Sequence, residues 1–162
     1  MVIRDASGEE WDGIWSLMRP IVVAGQTFAY DPALDEADAR VGWLAAPPGR
    51  ASVAVAADGS ILGTATMGPN RAGPGAHVAT ASFMVDGACQ GRGVGRALVE
   101  DALAWARGRE FRAMQFNAVA ASNVGAVKLY ESLGFQIIGT VPEAFLHPAE
   151  GYVGLHVMHC VL

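Results

Sequence analysis

The sequence predicts an α/β (α+β) protein in which a mixed sheet carries helices on both faces. Short apolar stretches of strand length alternate along the chain with longer amphipathic stretches of helix length. Asp58-Gly59 stands between two strand-like stretches and is a strong signal for a two-residue hairpin. The resulting order is one strand, two helices, a three-strand meander, a helix, a strand, a helix and two strands.

The elements follow from the apolar periodicity and from local start and stop signals. In chain order, the predicted strands are residues 2–6, 51–57, 61–67, 77–85, 114–119, 135–140 and 153–162. The predicted helices are one that opens at the capping box Ser7-Gly8-Glu9-Glu10, residues 33–44, residues 94–107 and one between Asn123 and Gly134. We expect Pro20 to bend or end the first helix, and residues 141–152 to form a loop.

Composition limits the classes of function. At 162 residues the chain is most simply one domain, residues 1–162, long enough to bury a core. Its net charge of −5 argues against a nucleic-acid or membrane partner. No signal peptide pattern is present and no apolar run reaches the ~20 residues that span a bilayer, so we expect a cytoplasmic protein. The two isolated cysteines, Cys89 and Cys160, predict neither a disulfide framework nor a zinc site.

A glycine-rich stretch, Gln90-Gly91-Arg92-Gly93-Val94-Gly95-Arg96, joins a predicted strand to a predicted helix. Glycines let the backbone approach a ligand closely, and the free N–H groups at a helix N-terminus attract anions. Gln90, Arg92 and Arg96 add polar and cationic side chains where phosphate oxygens would sit. We therefore expect this stretch to bind a pyrophosphate, the alternative being a simple turn between strand and helix.

Two well-known phosphate loops do not match this stretch. A P-loop has a lysine after its last glycine, and no lysine follows here. A dinucleotide fingerprint needs Gly-x-Gly-x-x-Gly/Ala, but the last position is Arg96 when counted from Gly91 and Leu98 when counted from Gly93. Any phosphate binding here belongs to another kind of loop.

The glycine stretch and a second motif together resemble the GNAT superfamily of acetyl-CoA-dependent N-acetyltransferases. Residues 90–95 fit the Gln/Arg-x-x-Gly-x-Gly/Ala loop that binds the pyrophosphate of CoA in that superfamily. The second motif, Asn123-x-x-Ala126-x-x-Leu129-Tyr130-x-x-x-Gly134-Phe135, follows at the expected distance. The resemblance covers nearly the whole chain and implies a mostly antiparallel sheet of about seven strands flanked by about four helices. Residues 114–117 and 145–148 are similar to a bacterial branch that acetylates small amino acids and proline analogues.

The resemblance also implies a role for individual residues in binding acetyl-CoA. Phe83, Met84 and Val85 are expected to offer backbone N–H and C=O groups to the pantetheine arm, which lies along the strand edge like an added strand. Asn123 is expected to contact the CoA arm, and Tyr130 to place its hydroxyl beside the thioester sulfur. The residues expected at the pyrophosphate are Gln90, Gly91, Arg92, Gly93, Val94, Gly95 and Arg96.

Acetyl transfer to an amine requires a polarised thioester carbonyl and a stabilised thiolate. We expect the Val85 N–H to polarise the carbonyl, freed from the sheet by a bulge near Gly87. Tyr130, with an ordinary pKa of about 10, is protonated at neutral pH and able to donate; packing in the core is the alternative role. Glu143 and His147 are candidate bases, directly or through water, and a position in a surface loop without a role in catalysis is the alternative for each. Direct attack in a ternary complex, with water or no dedicated base, fits better than an acetyl-cysteine intermediate.

The acceptor site has weaker signals. Phe28 and Tyr30 lie in an aromatic and polar segment between the first two helices and are candidates to line a pocket for the acceptor. Asn117, at the end of a strand, is a candidate to bind an acceptor carboxylate or amide. His147 is a candidate in the predicted loop 141–152, which we expect to cover the pocket. His156 and His159 point to opposite faces of a strand and make a poor metal pair, so no metal is expected.

The predicted function is therefore transfer of an acetyl group from acetyl-CoA to the amine of a small molecule, such as an amino acid or an analogue of one. Acetylation of a peptide or protein is one alternative, and a CoA-binding module without turnover is another. The resemblance also implies a homodimer, because many relatives pair through their late strands.

Overall fold

The computed structural model describes residues 1–162, and its seven strands form one sheet. The strands are β1 (Val2–Asp5), β2 (Arg50–Val55), β3 (Ile61–Pro69), β4 (Val78–Val85), β5 (Ala113–Ala120), β6 (Gln136–His147) and β7 (Gly151–Val161). The α-helices are α1 (Trp11–Ala24), α2 (Glu36–Trp43), α3 (Val94–Gly108) and α4 (Val124–Ser132). The spatial order is β1-β2-β3-β4-β5-β7-β6, and β4 with β5 is the one parallel pair. The predicted mixed, mostly antiparallel sheet with four helices is confirmed.

Two apolar clusters hold the helices on opposite faces of the sheet. Neighbouring residues of a strand point to opposite faces, so Val53 of β2 belongs to one cluster and Ala54 to the other. The first cluster packs α1 and α2 on the sheet through Trp11, Ile14, Met18, Val22 and Trp43. The second packs α3 through Leu98, Val99, Ala102, Leu103 and Ala106. Each large side chain buried in this way contributes about 1.5–3 kcal/mol.

The first helix differs from the expectation at its proline. The predicted capping box is present, with the Ser7 N–H donating to Glu10 Oε2 at 2.9 Å. α1 nevertheless runs through Pro20 to Ala24, so of the two expected effects, a bend or an end at Pro20, the end is wrong. Met18 and Val22 are both buried on either side of the proline. Their packing holds the helix together although a proline removes one backbone hydrogen bond.

The predicted loop over residues 141–152 is also wrong. β6 continues to His147 and pairs with β7 as far as Gly151, so the connection is short. Two prolines lie in this stretch, Pro142 inside β6 and Pro148 in the turn after it, and β6 is an edge strand, where a missing N–H is tolerated. The β6–β7 register shifts between Val141 and Phe145, and Glu143 there has a φ of 51°. A bulge thus accommodates the first proline inside the strand.

Candidate active site

A cleft opens in the sheet between the two parallel strands, β4 and β5. The strands pair at Val78 with Ala113 and at Ala79 with Met114, and then separate. Beyond this point β5 continues to pair with β7 on its other side. The rest of β4 therefore has an edge without a strand partner, and such an edge presents N–H and C=O groups that an extended ligand can bind.

Alternation along β4 decides which residues face this cleft. The Asp86 N–H donates to Leu62 O at 3.0 Å, on the side of β3. Because residues of an antiparallel strand alternate in the direction of their polar backbone groups, even-numbered residues of β4 face β3 and odd-numbered residues face away from it. Phe83 and Val85 thus turn their N–H and C=O groups to the open edge.

Two expectations for this strand need correction. Met84 does not share the orientation of its neighbours: its backbone groups face β3, and its side chain, 1% exposed, is buried under α1. The expected bulge near Gly87 is also wrong, because the β3–β4 register is continuous up to the pair Gly63–Val85, and Gly87 begins a 3-10 turn. The plain alternation of the strand is sufficient to turn the Val85 N–H into the cleft.

The glycine loop, residues 90–96, leads from this 3-10 turn into α3. Gly91 and Gly93 have φ angles of 74° and 80°, in the left-handed region that favours glycine. α3 begins at Val94 with no side-chain cap. The N–H groups of Val94, Gly95 and Arg96 have no backbone acceptor, so they and the positive end of the helix dipole are free to bind an anion.

The two arginines of the glycine loop have different surroundings. Arg96 is oriented by α4, since its Nη2 donates to Ser132 Oγ at 2.8 Å, and its Nη1 lies 3.5 Å from Glu100 Oε1. Arg92 folds back on Cys89, with 3.7 Å between Nη1 and Sγ. Of the two, Arg96 lines the groove beside the loop. The loop therefore combines free amides with one positioned cation.

Helix α4 forms the wall of the cleft opposite β4. Asn123 caps this helix, its Oδ1 accepting from the Ala126 N–H at 3.3 Å. In the last turn of α4, Tyr130 packs against Phe116 and Phe83, with ring centroids 4.7 and 6.3 Å apart. Burial among these rings raises the pKa of Tyr130 to about 12, so the phenol is protonated at neutral pH.

Three adjoining cavities fill the cleft in a row. The loop groove, about 690 Å³, lies between the glycine loop and the start of α4. The central cavity, about 390 Å³, lies between the end of α1, β4 and α4. The aromatic pocket, about 240 Å³, lies between β4, β5 and the segment after α1. Asn123 lines all three cavities and Tyr130 lines the last two, so one extended ligand can run from the glycine loop past Tyr130.

The aromatic pocket is assembled from segments that are distant in sequence. Phe28 and Tyr30, in the segment after α1, stack with their ring centroids 5.6 Å apart and their planes at 13°. Across the pocket, β5 contributes Asn117 from a bulge, where the register with β7 shifts between Phe116 and Val119. Bulges of this kind re-aim a side chain out of the pairing of the strand.

Asn117 is held in a chain of amide side chains. Its Nδ2 donates to Asn70 Oδ1 at 2.7 Å, and its Oδ1 accepts from Gln115 Nε2 at 2.8 Å. Asn70 is the first residue after β3, so the chain of amides joins the start of the β3–β4 connection to β5 beside the pocket. One donor and one lone pair of Asn117 are still free for a ligand.

The order of these elements matches that of a known family. A model of the Acetyltransferase (GNAT) family matches residues 11–135. The chain belongs to the GNAT family. It is similar to a GCN5-related N-acetyltransferase from Kribbella flavida, with 58% identity over 99% of this chain and 97% of that chain and a TM-score of 0.97. It is also similar to yncA of Salmonella typhimurium, solved with its cofactor acetyl-CoA, with 25% identity over 100% of this chain and 94% of that chain and a TM-score of 0.87.

A similarity to curated proteins covers part of the chain. N-acetyltransferase aca1 from Schizosaccharomyces pombe is 32% identical over 99 residues, which are 60% of this chain and 47% of that protein. The chain spans less than half the length of the curated relatives it matches.

The structure brings most of the predicted GNAT site residues together along the cleft. The residues that line its three cavities include Phe28, Tyr30, Phe83, Met84, Val85, Gln90, Gly91, Gly93, Val94, Gly95, Arg96, Asn117, Asn123 and Tyr130. His147 lies apart from them, at the end of β6, where its Nδ1 accepts from the N–H groups of Ala149 and Glu150 in the following turn at 3.2 and 3.1 Å. The expected loop that would have carried His147 over the pocket is a strand pair instead.

Sequence reasoning missed several polar residues of this GNAT cleft. Thr80 and Ser82 of β4 line the aromatic pocket, and polar side chains within an otherwise apolar strand were the available signal. Ser122 lines the loop groove, and its hydroxyl is buried without a hydrogen-bond partner. The position of Ser122 beside the cap residue Asn123 does not indicate that its hydroxyl lines the groove.

No helix combines the length and the apolar character that crossing a membrane would require. No group of three or more His, Cys, Asp and Glu side chains is arranged to hold a metal ion. His156, which the sequence analysis paired with His159 as a poor metal site, forms a hydrogen bond of 2.8 Å between its Nδ1 and Thr140 Oγ1.

Proposed function

We propose that residues 1–162 form one N-acetyltransferase domain that transfers the acetyl group of acetyl-CoA to the amine of a small molecule. The observation that carries this proposal is the continuous row of cavities, which begins at the free amides of the glycine loop and ends in the aromatic pocket. Tyr130 lies between the central cavity and the aromatic pocket. The cofactor in the yncA structure and the family membership support acetyl-CoA as the donor.

In this proposal the donor binds by backbone contacts. The pyrophosphate takes the N–H groups of Val94, Gly95 and Arg96, and the Arg96 guanidinium adds a charge-assisted contact. The pantetheine arm follows the open edge of β4 and pairs with Phe83 and Val85 as an added strand would. The acetyl group then reaches the junction between the central cavity and the aromatic pocket.

The reaction proceeds by direct attack of a neutral amine on the thioester carbonyl. The amine nitrogen forms a bond to the carbonyl carbon, the C–S bond breaks, and the amine proton leaves to water. The Val85 N–H is oriented to donate to the carbonyl oxygen as negative charge develops there. The departing thiolate carries the negative charge at the end of the step.

Tyr130 stabilises the thiolate in this proposal without giving up its proton. A free thiol has a pKa of about 8.5, below the value of about 12 for Tyr130. Complete transfer of the phenol proton to the thiolate would therefore be uphill. A hydrogen bond from the phenol to the thiolate sulfur keeps the stabilisation and avoids that cost.

Acetyl-CoA binding and turnover test this proposal separately. We expect calorimetry to show saturable binding of acetyl-CoA, and we expect free thiol to be released when a panel of small amines is added. Binding without thiol release from any amine or peptide would instead indicate a CoA-binding module. Release with lysine-containing peptides but not with small amines would indicate a peptide or protein acetyltransferase.

We also propose that two copies of the chain pair through the late strands. β6 is an edge strand of 12 residues in which nearly every side chain is exposed. Among them are the apolar residues Ile138, Val141 and Leu146, which are 60%, 53% and 63% exposed. Light scattering coupled to gel filtration tests this: a homodimer that Ile138→Lys converts to a monomer supports the pairing, and a wild-type monomer overturns it.

A further inference from the structure

The lining of the aromatic pocket has no formal charge. Eleven of its 16 lining residues are hydrophobic, and the others carry hydroxyl or amide groups. Those five are Thr27, Thr80, Ser82, Asn117 and Asn123. Its two titratable residues, Tyr30 and Tyr130, both have a pKa raised by burial, so both are neutral phenols at neutral pH. The adjoining central cavity is likewise lined by uncharged residues only.

The acidic residues that follow the pocket segment in sequence are engaged elsewhere. Asp31 Oδ1 accepts from the Ala33 N–H at 2.8 Å. Asp35 caps α2, and Glu36 accepts from Trp11 Nε1 at 2.9 Å. These carboxylates bind the turn and the helices around them, and none of them lines the pocket.

An uncharged lining selects against a charged acceptor. An alkylamine with a pKa near that of lysine, about 10.4, is an ammonium ion in all but about one molecule in a few thousand at pH 7. In this pocket the ammonium would meet no carboxylate, and no side chain would accept its proton. A carboxylate on the acceptor would meet no cation. Burial of an unpaired charge is strongly unfavourable in both cases.

The aromatic side chains indicate the shape of the acceptor. Phe28 and Tyr30 form a stacked pair on one side of the pocket, and Phe83, Phe116 and Tyr130 form a cluster on the other. Aromatic rings pack favourably against one another in stacked or edge-to-face arrangements. A cavity of about 150 Å³ holds a benzene molecule. The pocket volume of about 240 Å³ therefore suits one ring with a small substituent.

We propose that the acceptor is an aromatic amine that is uncharged at neutral pH and carries no carboxylate. This inference rests on the proposed acetyl transfer and revises the amino-acid acceptor that the family resemblance implied. An aromatic amine is weakly basic, so it enters with its nitrogen lone pair available for attack on the thioester carbonyl. The bond changes are those given above: the N–C bond forms, the C–S bond breaks, and the amine proton passes to water.

Two matched pairs of amines test the acceptor class with the wild-type protein and saturating acetyl-CoA. Aniline and benzylamine both carry one ring, but only benzylamine is an ammonium ion at neutral pH. Methyl 4-aminobenzoate and 4-aminobenzoate differ in the charge of the ring substituent. We expect the kcat/KM for thiol release to be higher for the neutral member of each pair by about tenfold or more.

The outcomes separate this inference from the proposed function. Equal or better turnover of benzylamine or 4-aminobenzoate overturns the neutral aromatic acceptor while leaving acetyl transfer in place, as does turnover of amino acids alone. No acetyl-CoA binding, or no thiol release with any amine, overturns the proposed function itself.

A charge placed in the pocket provides a second test. In Ser82→Asp a carboxylate would pair with an ammonium and accept its proton, so we expect the kcat/KM ratio of benzylamine to aniline to rise about tenfold. Thr66→Asp is the matched control, because Thr66 lies opposite Ser82 on β3 and lines none of the three cavities. An unchanged ratio in a folded Ser82→Asp protein contradicts the inference; if this variant does not fold, the two pairs of amines decide.

Discussion

The two ends of the cleft are built in different ways. The loop groove offers backbone N–H groups from one contiguous stretch, whose geometry depends on Gly91 and Gly93 in left-handed conformations. The aromatic pocket uses side chains from the segment after α1 and from β4, β5 and α4. Replacing one side chain changes the pocket locally, whereas a Cβ in the loop changes the path of the backbone. The proposed donor end is therefore constrained by conformation, and the proposed acceptor end can vary one residue at a time.

The largest effect is expected where the backbone itself is the binding group. Gly93→Val places a β-branched residue at a φ of 80°, which costs about 1–3 kcal/mol if the loop keeps its shape. We expect the loop to relax into another conformation instead and the free amides to lose their alignment. Affinity for acetyl-CoA, measured by calorimetry, should fall by about 10- to 100-fold.

Gly59→Val is the matched control for this change. Gly59 has a φ of 88° and lies in the β2–β3 hairpin, away from the three cavities. The Gly59→Val substitution introduces the same backbone strain. It should therefore lower the free energy of unfolding but leave the affinity for acetyl-CoA unchanged. Equal affinities in the Gly93→Val and wild-type proteins would mean that the loop is an ordinary turn.

The junction between the two ends gives the next effect. Tyr130→Phe removes the phenol that we propose stabilises the thiolate and keeps the ring that packs on Phe116. A hydrogen bond to a charged group is worth about 1.5–3 kcal/mol, so kcat should fall by about 10- to 150-fold. The affinity for acetyl-CoA should change little. Tyr152→Phe, at an exposed tyrosine, is the control, and an unchanged kcat in Tyr130→Phe would leave this residue a packing role only.

The burial of Tyr130 also has a signature in its pH dependence. The folded protein holds the phenol proton up to a pH of about 12, while an unfolded chain releases it near pH 10. The stabilising contribution is therefore complete below pH 10 and is lost as the pH rises to 12. Subtracting the tyrosinate absorbance of Tyr130→Phe from that of the wild type should give a titration near 12. A midpoint near 10 would show that the ring is solvated.

The contrast between the ends also explains what the sequence could predict. The glycine loop and the cap at Asn123 are local patterns, and the order of strands and helices followed from periodicity. The aromatic pocket depends on where β4 and β5 separate and on the bulge at Asn117, and neither has a local signal. His147 was expected in a loop over the pocket, whereas the position of β6 at the sheet edge permits a strand that contains Pro142.

A smaller effect is expected at Ser122, whose buried hydroxyl in the loop groove has no hydrogen-bond partner. Ser122→Ala removes a buried group that has no partner in the protein and lines the groove. If this hydroxyl binds the donor, the affinity for acetyl-CoA should fall by about fivefold, equivalent to a typical hydrogen bond of about 1 kcal/mol. Protein stability should hold or rise, because an unsatisfied group is lost. Ser52→Ala, at the other orphan serine hydroxyl and outside the cleft, should leave the affinity unchanged.

The smallest effect is expected at the support of the aromatic pocket. Asn70→Ala removes the acceptor of the 2.7 Å bond from Asn117 Nδ2 but leaves Gln115 in place on the other side. Asn117 then loses one of two restraints on its orientation, so the KM for the acceptor should rise about two- to threefold while kcat holds. The affinity for acetyl-CoA should not change, because the loop groove is built independently of this end. Asn70→Asp, which keeps an acceptor for the Asn117 amide, should restore the wild-type KM. A loss of donor affinity in Asn70→Ala would show that the two ends of the cleft are coupled.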